Sequence, residues 1–176
     1  MMNRRSMTYG RFASGFSMIE LLVAVLVMGI GVLGITGLQM VSLQNNRGAL
    51  VRAEAVQLAY DILDPIRANP GAAYGGLAIG APPPAPTNCH TNDCNQAQMV
   101  AFDQAVWKCS LGVWNTHANC APLRDGVILP SAANQPGLPS GDGRIAVNGA
   151  GIVTITVQWQ EANQPAVTTL SIDSQE

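Results

Sequence analysis

The sequence is poor in charge. Only 11% of its 176 residues are Asp, Glu, Lys or Arg, less than half of the roughly 25% that is usual in soluble domains. Because 48% of the residues are hydrophobic, the composition excludes a disordered polyelectrolyte. The net charge of -2 leaves no broad basic surface for gripping phosphates. We therefore expect no nucleic-acid partner.

The sequence also lacks the short motifs of common catalytic and nucleotide-binding sites. It contains no G-x-S-x-G, no H-E-x-x-H and no G-x-x-x-x-G-K-[ST]. The acidic residues of its second half are scattered, and no spacing pairs two of them as an acid and a base. We therefore expect a protein that is not an enzyme and that uses no cofactor.

What the sequence does have is a long uncharged run near its start. No charged side chain lies between Leu21 and Asn46, and residues 21–38 are almost wholly apolar. About 18 apolar residues suffice for a helix to cross the hydrocarbon layer of a membrane. Three arginines occur in the first 15 residues, and no further Lys or Arg occurs before Arg47. The positive-inside rule then places the N-terminus in the cytoplasm and the rest of the chain outside it.

Glu20 lies at the edge of this run and needs an explanation. A carboxylate near a membrane helix is costly and usually has a partner, yet no basic residue lies within a helical turn of Glu20. Cleavage after Gly15 would create an α-amino group at Phe16, one helical turn away. A cleaved secretory signal fits poorly, since the run is longer than 7–15 residues and no A-x-A-like site follows it. A plain signal anchor remains as an alternative, but it does not explain Glu20.

The basic leader, Gly15, the aromatic Phe16, Glu20 and the apolar helix together resemble the class III signal of type IV pilins and pseudopilins. The resemblance implies that a prepilin peptidase cleaves between Gly15 and Phe16 and that the new amine of Phe16 is methylated. It also implies that Glu20 guides docking of the subunit into a growing filament.

The same resemblance implies three segments. Residues 1–15 would be a cytoplasmic leader that is removed, residues 16–46 a transmembrane and filament-core helix, and residues 47–176 a periplasmic head. The protein would cross the inner membrane once and then enter the pilus at the cell surface. Its partners would be the prepilin peptidase, inner-membrane lipid, the pilus assembly platform, and other minor and major pilins.

Two further segments resemble the PilV subgroup of minor type IV pilins. They are LAYDILDPIRANP at residues 58–70, and Cys89 and Cys94 followed by AFDQAVWK at residues 101–108. This resemblance implies a subunit of the priming or tip complex that promotes pilus assembly and adhesion. Two alternatives stay open: a minor pseudopilin of a type II secretion system, and a tip-located adhesin or other binding module.

The patterning of the head predicts an α+β fold. Apolar residues recur at helical spacing in Val51, Ala55, Leu58, Ile62 and Ile66. Near the end of this stripe, Asp64-Pro65 either starts a new short helix or kinks the first one after residue 63, and Asn69-Pro70-Gly71 ends it.

The C-terminal part predicts a small antiparallel sheet that packs on the stripe. Alternating segments at 144–147, 151–160 and 166–173 read as three strands, with a tight turn at Asn148-Gly149. A fourth strand could come from residues 111–130. A long N-terminal helix on such a sheet is the pilin-like architecture.

The four cysteines, Cys89, Cys94, Cys109 and Cys120, read as disulfides if the head lies outside the cytoplasm. Three pairings are possible, and nearest-neighbour pairing closes short rings without threading. A zinc site with His90 and His117 is the alternative, although the second cysteine pair is too widely spaced for most structural zinc sites.

A second helix of about 12 residues is predicted between the cysteines, with Asn95 as its N-cap. Its Trp107, and Trp114 beyond it, read either as packing residues or as a platform for a sugar.

Overall fold

The computed structural model describes residues 15–125, 128–135, 137–162 and 164–175. The predicted leader, up to residue 14, lies outside the described residues. The contacts divide the chain between Asn45 and Asn46 into two units. We call residues 15–45 the apolar segment and residues 46–175 the head, and each is described by itself.

The elements follow the α+β order predicted from the sequence. They are α1 (Met18–Ala68), α2 (Gln96–Leu111), a 3₁₀-helix (Ala118–Cys120), α3 (Ala121–Asp125), β1 (Asp142–Val147), β2 (Ile152–Gln160) and β3 (Val167–Gln175). The three strands form one antiparallel sheet in the order β1-β2-β3. The predicted fold class is thereby confirmed.

The core of the head joins the helix stripe to the inner face of the sheet. Along α1 the stripe is buried as predicted at Ala55, Leu58, Ile62 and Ile66, with Val51 partly buried. The sheet contributes the alternating residues of β2, namely Val153, Ile155, Val157 and Trp159. Burial of each large apolar side chain contributes about 1.5–3 kcal/mol, so this shared cluster is what holds the sheet on the helix.

The turn between β1 and β2 is wider than the tight turn predicted at Asn148-Gly149. Four residues, 148–151, separate the strands, and the left-handed backbone (φ 74°) occurs at Gly151. The side-chain oxygen of Asn148 accepts hydrogen bonds from the backbone N–H groups of Ala150 and Ile152, each at 2.9 Å. Asn148 therefore shapes the turn through its side chain, which permits a wider loop.

Helix α1 runs through Pro65 to Ala68, so the alternative of a new short helix starting at Asp64 is wrong. A kink of the one helix at Pro65 stays a prediction. A proline inside a helix removes one backbone hydrogen bond. Leu63 and Ile66, on either side of it, are each only 1% exposed, and their burial outweighs that loss. The helix ends at Asn69-Pro70-Gly71, as predicted.

The suggested fourth strand is wrong for the described part of residues 111–130, namely 111–125 and 128–130. These residues form a turn, the 3₁₀-helix and α3. The reason is local, because α2 ends at Gly112 with φ 134° and the disulfide of Cys120 ties the following chain back to α2. Helix α2 itself is longer than predicted, with 16 residues, and Asn95 caps it in a capping box with Gln98.

Helix α2 approaches β1 closely at a glycine. A Cβ atom added to Gly143 would lie 2.4 Å from the ring of Trp107, a distance that no side chain can accept. This close approach brings Asp142, the residue before Gly143, against α2.

Candidate functional site

The predicted processing site lies just ahead of α1. Gly15, Phe16 and Ser17 are non-helical and exposed, and the helix begins at Met18. The carbonyl of Ser17 accepts the first hydrogen bonds of the helix, from the N–H groups of Glu20 (3.1 Å) and Leu21 (3.3 Å). The Gly15–Phe16 bond is therefore outside the helical hydrogen-bond ladder, where a peptidase can reach the backbone.

Glu20 occupies the first turn of α1 and is exposed. The unpaired N–H groups at a helix start favour a negative charge there. No basic residue occurs between positions 12 and 46 of the sequence. A cation for Glu20 can therefore come from an amine created at Phe16, four residues earlier in the chain, or from another molecule.

The apolar segment exposes nearly all of its large side chains. From Met18 to Leu43 their fractional exposure lies between 54% and 85%. Its most apolar window of 18 residues has a mean hydropathy of 2.6 and no buried share, so the helix is long and apolar enough to cross a membrane. Such a surface is stable only in lipid or against other apolar helices.

The cysteines of the head form two disulfides. Cys89 pairs with Cys94 and Cys109 pairs with Cys120, with Cα–Cα distances of 5.5 and 5.6 Å. This is the nearest-neighbour pairing. Sulfur atoms in disulfides are not thiolates and do not serve as zinc ligands. The four cysteines therefore do not form the alternative zinc site. Among the described residues, no group of three or more His, Cys, Asp or Glu side chains is arranged to hold a metal.

Both histidines make packing or capping contacts. His90 lies edge-on to the ring of Phe102, with centroids 5.7 Å apart. His117 caps the 3₁₀-helix, where its Nδ1 atom accepts a hydrogen bond from the N–H of Asn119 at 3.2 Å. Neither contact requires a bound ion.

The two tryptophans are anchored by their indole N–H groups. Trp107 is 3% exposed and donates to the carbonyl of Leu58 at 2.7 Å, so it offers no face to a sugar. Trp114 is half-buried and donates to Asp142 at 3.3 Å. The packing interpretation is confirmed for Trp107.

A buried ion pair, which the sequence analysis did not anticipate, joins three parts of the head. Lys108 on α2 contacts Asp142 on β1, and their side chains are 0% and 5% exposed. The ammonium group also donates to the carbonyl of Ala78 at 2.9 Å, while Asp142 accepts from the N–H of Gly80 at 2.6 Å. Burial lowers the pKa of Lys108, and the hydrogen bond and charge of Asp142 act against this shift. The sequence feature that could have predicted this ion pair is Lys108, a single lysine among the apolar residues of α2.

A second buried contact joins Tyr74 to Asp103. The Tyr74 hydroxyl donates a short hydrogen bond to the Asp103 carboxylate. Burial raises the pKa of Tyr74, and the same bond raises it further. Burial also raises the pKa of Asp103, against the lowering effect of the Tyr74 hydrogen bond. Both contacts hold the loop after α1 against α2.

Two protein-family models match parts of this chain. Residues 10–36 match the prokaryotic N-terminal methylation motif, and residues 37–105 match the family described as type IV pilin Tt1218. The first match contains Gly15, Phe16 and Glu20, and the second extends into α2. No curated protein and no solved structure matches the chain.

Proposed function

We propose that this chain, whose sequence matches the N-terminal methylation motif and the type IV pilin Tt1218 family, is a minor type IV pilin of the PilV type. In this proposal it joins the priming or tip complex of a pilus and promotes pilus assembly and adhesion. The exposed apolar helix, whose first part lies within the matched methylation motif at residues 10–36, carries the proposal, because only lipid or neighbouring helices can cover such a surface.

The residue roles follow from this proposal. The prepilin peptidase removes residues 1–15, and the amine of Phe16 becomes the methylated N-terminus. Residues 16–46 cross the inner membrane and later pack in the filament core, while residues 47–176 form the periplasmic head. Glu20 pairs with a positive terminus, its own or that of a neighbouring subunit, and so aligns the subunit with the filament.

The PilV type is supported by where its similar segments lie. The segment 58–70 supplies buried residues to the core from α1, among them Ile62 and Ile66. The segment 101–108 lies entirely in α2 and includes the buried Trp107 and Lys108. Both segments therefore contribute buried residues to the head.

The first test is mass spectrometry of the N-terminus of the protein purified from its own cells. We expect a chain that starts at a methylated Phe16. A mature chain that keeps Met1 and the arginine-rich leader would refute the proposal, since no amine would then exist near Glu20.

The second test separates the role of Glu20 from processing. We expect Glu20→Leu to be cleaved normally but to be lost from purified filaments. Glu54→Leu is the matched control, because Glu54 is an exposed acid on the same helix in the head, and its incorporation should be normal. Unchanged incorporation of the Glu20 variant would remove Glu20 from the mechanism.

A deletion separates the alternatives. Loss of surface pili and of twitching supports the minor pilin, whereas normal pili with defective protein secretion would identify the pseudopilin. Normal numbers of pili that no longer adhere would identify a tip adhesin without a part in assembly.

A further inference from the structure

A groove of the head lies beside the last turns of α1 and along α2. Two adjoining cavities, with volumes of about 460 and 450 Å³, share Pro65 and Asp103 in their walls. We call this feature the Asp103 groove. It lies within the head and uses residues of α1 after position 57 and residues of α2.

The walls of the Asp103 groove are mainly apolar. They include Leu58, Met99, Phe102, Val106 and Trp107. Two carboxylates interrupt this lining, Asp61 from α1 and Asp103 from α2. Burial raises the pKa of both, and the neighbouring Asp64 adds to the shift of Asp61. The groove therefore holds two acidic groups in an apolar setting, of which Asp103 is half-buried and Asp61 is exposed.

No cation of the described residues forms an ion pair with either carboxylate. Several basic side chains of the head have other contacts. Lys108 pairs with Asp142, Arg52 pairs with Glu161, Arg67 donates to Ser174, and Arg124 donates to the carbonyls of Cys109 and Asn115. His90 lines the groove, where its ring lies edge-on to that of Phe102. Because none of these side chains pairs with Asp61 or Asp103, the groove can accept a positive charge from outside the head.

We propose that the Asp103 groove receives a lysine or arginine side chain from a neighbouring protein subunit. The apolar stem of that side chain would lie along Met99, Phe102 and Val106, and its cation would reach Asp61 and Asp103. Lysine and arginine combine such a stem with a terminal charge, which matches apolar walls that carry carboxylates. A hard metal ion matches less well, because it takes six or more oxygen ligands.

Charge complementarity is the reason for a protein occupant. A carboxylate that is already partly desolvated loses little more hydration when a cation arrives, so the pairing is stronger than at an open surface. In naming a filament subunit as the neighbour, the inference rests on the proposed function.

The test uses photo-crosslinking in cells with the full chain. Benzoylphenylalanine replaces Gln96, an exposed residue at the rim of the groove, and in a separate strain it replaces Leu33 in the apolar segment. We expect the Gln96 crosslink to map to a segment of another subunit that contains Lys or Arg. Asp61→Asn with Asp103→Asn should lower its yield by about tenfold or more, as expected when one side of a desolvated charge pair is removed.

Asn at position 103 keeps an oxygen that can accept the Tyr74 hydrogen bond, so the double variant should fold. Intact disulfides and a cooperative melting transition at a temperature no lower than that of the natural chain would verify this. Asp61→Lys is the second variant, and Glu54→Lys is its control on the same helix. Asp61→Lys should abolish the crosslink and Glu54→Lys should leave it unchanged.

Three outcomes overturn the inference. They are no crosslink from Gln96, a crosslink only to segments without Lys or Arg, and a Gln96 crosslinking yield that is the same with and without the Asp61 and Asp103 substitutions. The Leu33 crosslinks report on assembly alone. If Leu33 crosslinks to other subunits while Gln96 does not, the groove inference fails and the proposed function stands. If Leu33 gives no such crosslink, the proposed function fails, and the Gln96 result still decides the groove.

Discussion

The apolar segment and the head satisfy their hydrophobic residues in opposite ways. In the head, the stripe of α1 is covered by the sheet, and residues such as Ile62 and Ile155 are at most 1% exposed. In the apolar segment, side chains of the same kind, such as Ile30 and Leu33, are 65% and 75% exposed. One helix thus carries two apolar surfaces. The surface in the head is covered by the sheet, whereas the surface in the apolar segment is exposed. The difference teaches that the unit of stability is the head, while the apolar segment depends on its surroundings.

The largest expected effect comes from removing the apolar segment. A chain of residues 46–176, exported to an oxidising compartment, should fold as a soluble protein with both disulfides, because the described core of the head lies within it. The full chain should stay in the membrane fraction after carbonate extraction. A truncated chain that aggregates or remains unfolded would break the comparison, since the head would then need the apolar segment for its stability.

The next effect concerns the buried charge of the head. Lys108→Met should lower the free energy of unfolding by about 3–5 kcal/mol, because it leaves Asp142 buried without its cation. Urea unfolding of the soluble head measures this value. Arg144→Met is the control, since Arg144 is exposed on β1 and surface changes usually stay within about 0.5 kcal/mol. Equal stability of the two variants would contradict the role of the buried pair.

The two disulfides should differ in the stability that they confer and in their accessibility. On the chain-entropy model, loss of the Cys109–Cys120 ring costs about 3 kcal/mol and loss of the shorter Cys89–Cys94 ring costs about 2 kcal/mol. Cys109 and Cys120 are fully buried, whereas the other pair is half-buried. Under a mild reductant, alkylation and mass spectrometry should therefore find Cys89 and Cys94 first. Simultaneous reduction of both pairs without unfolding would be the contrary result.

The smallest effect is a pH dependence at Asp103. Burial raises its pKa in the folded head, so the folded state holds the proton more tightly than the unfolded state does. This stabilising contribution is complete below the usual carboxyl pKa and is lost as the pH rises through the raised value. Asn resembles the protonated form, so the stability of Asp103→Asn relative to the natural head should increase from pH 4 to pH 7. Asp61→Asn should change in the same direction, and a difference that does not vary with pH would contradict the assignment.

Several parts of the fold could be predicted because their signals are local. The stripe from Val51 to Ile66 follows from helical spacing, the three strands from alternation, and the start of α2 from Asn95. The choice at Pro65 between a new helix and a continued one could not be made in this way, since local rules allow both and only the burial of Leu63 and Ile66 shows why the helix continues. The predicted fourth strand was wrong for a similar reason. Gly112 and the Cys109–Cys120 disulfide impose turns on this segment, which has no strong periodicity of its own.

The candidate site divides in the same manner. Gly15, Phe16 and Glu20 could be named from the sequence because their meaning lies in adjacent residues and in the apolar run behind them. The Lys108–Asp142 pair and the Asp103 groove could not, since their members are separated by 34 or more residues of sequence or lie on different helices.

The sequence alone therefore determined that a long apolar helix follows a short motif with a single acid, and that an α+β head succeeds it, because helical period, strand alternation and charge placement are properties of neighbouring residues. Only the tertiary structure decided that α1 passes through Pro65, that Lys108 is buried against Asp142, and that Asp61 and Asp103 share one groove. These contacts depend on which distant surfaces exclude water together, and the free energy of that exclusion belongs to the packed head as a whole.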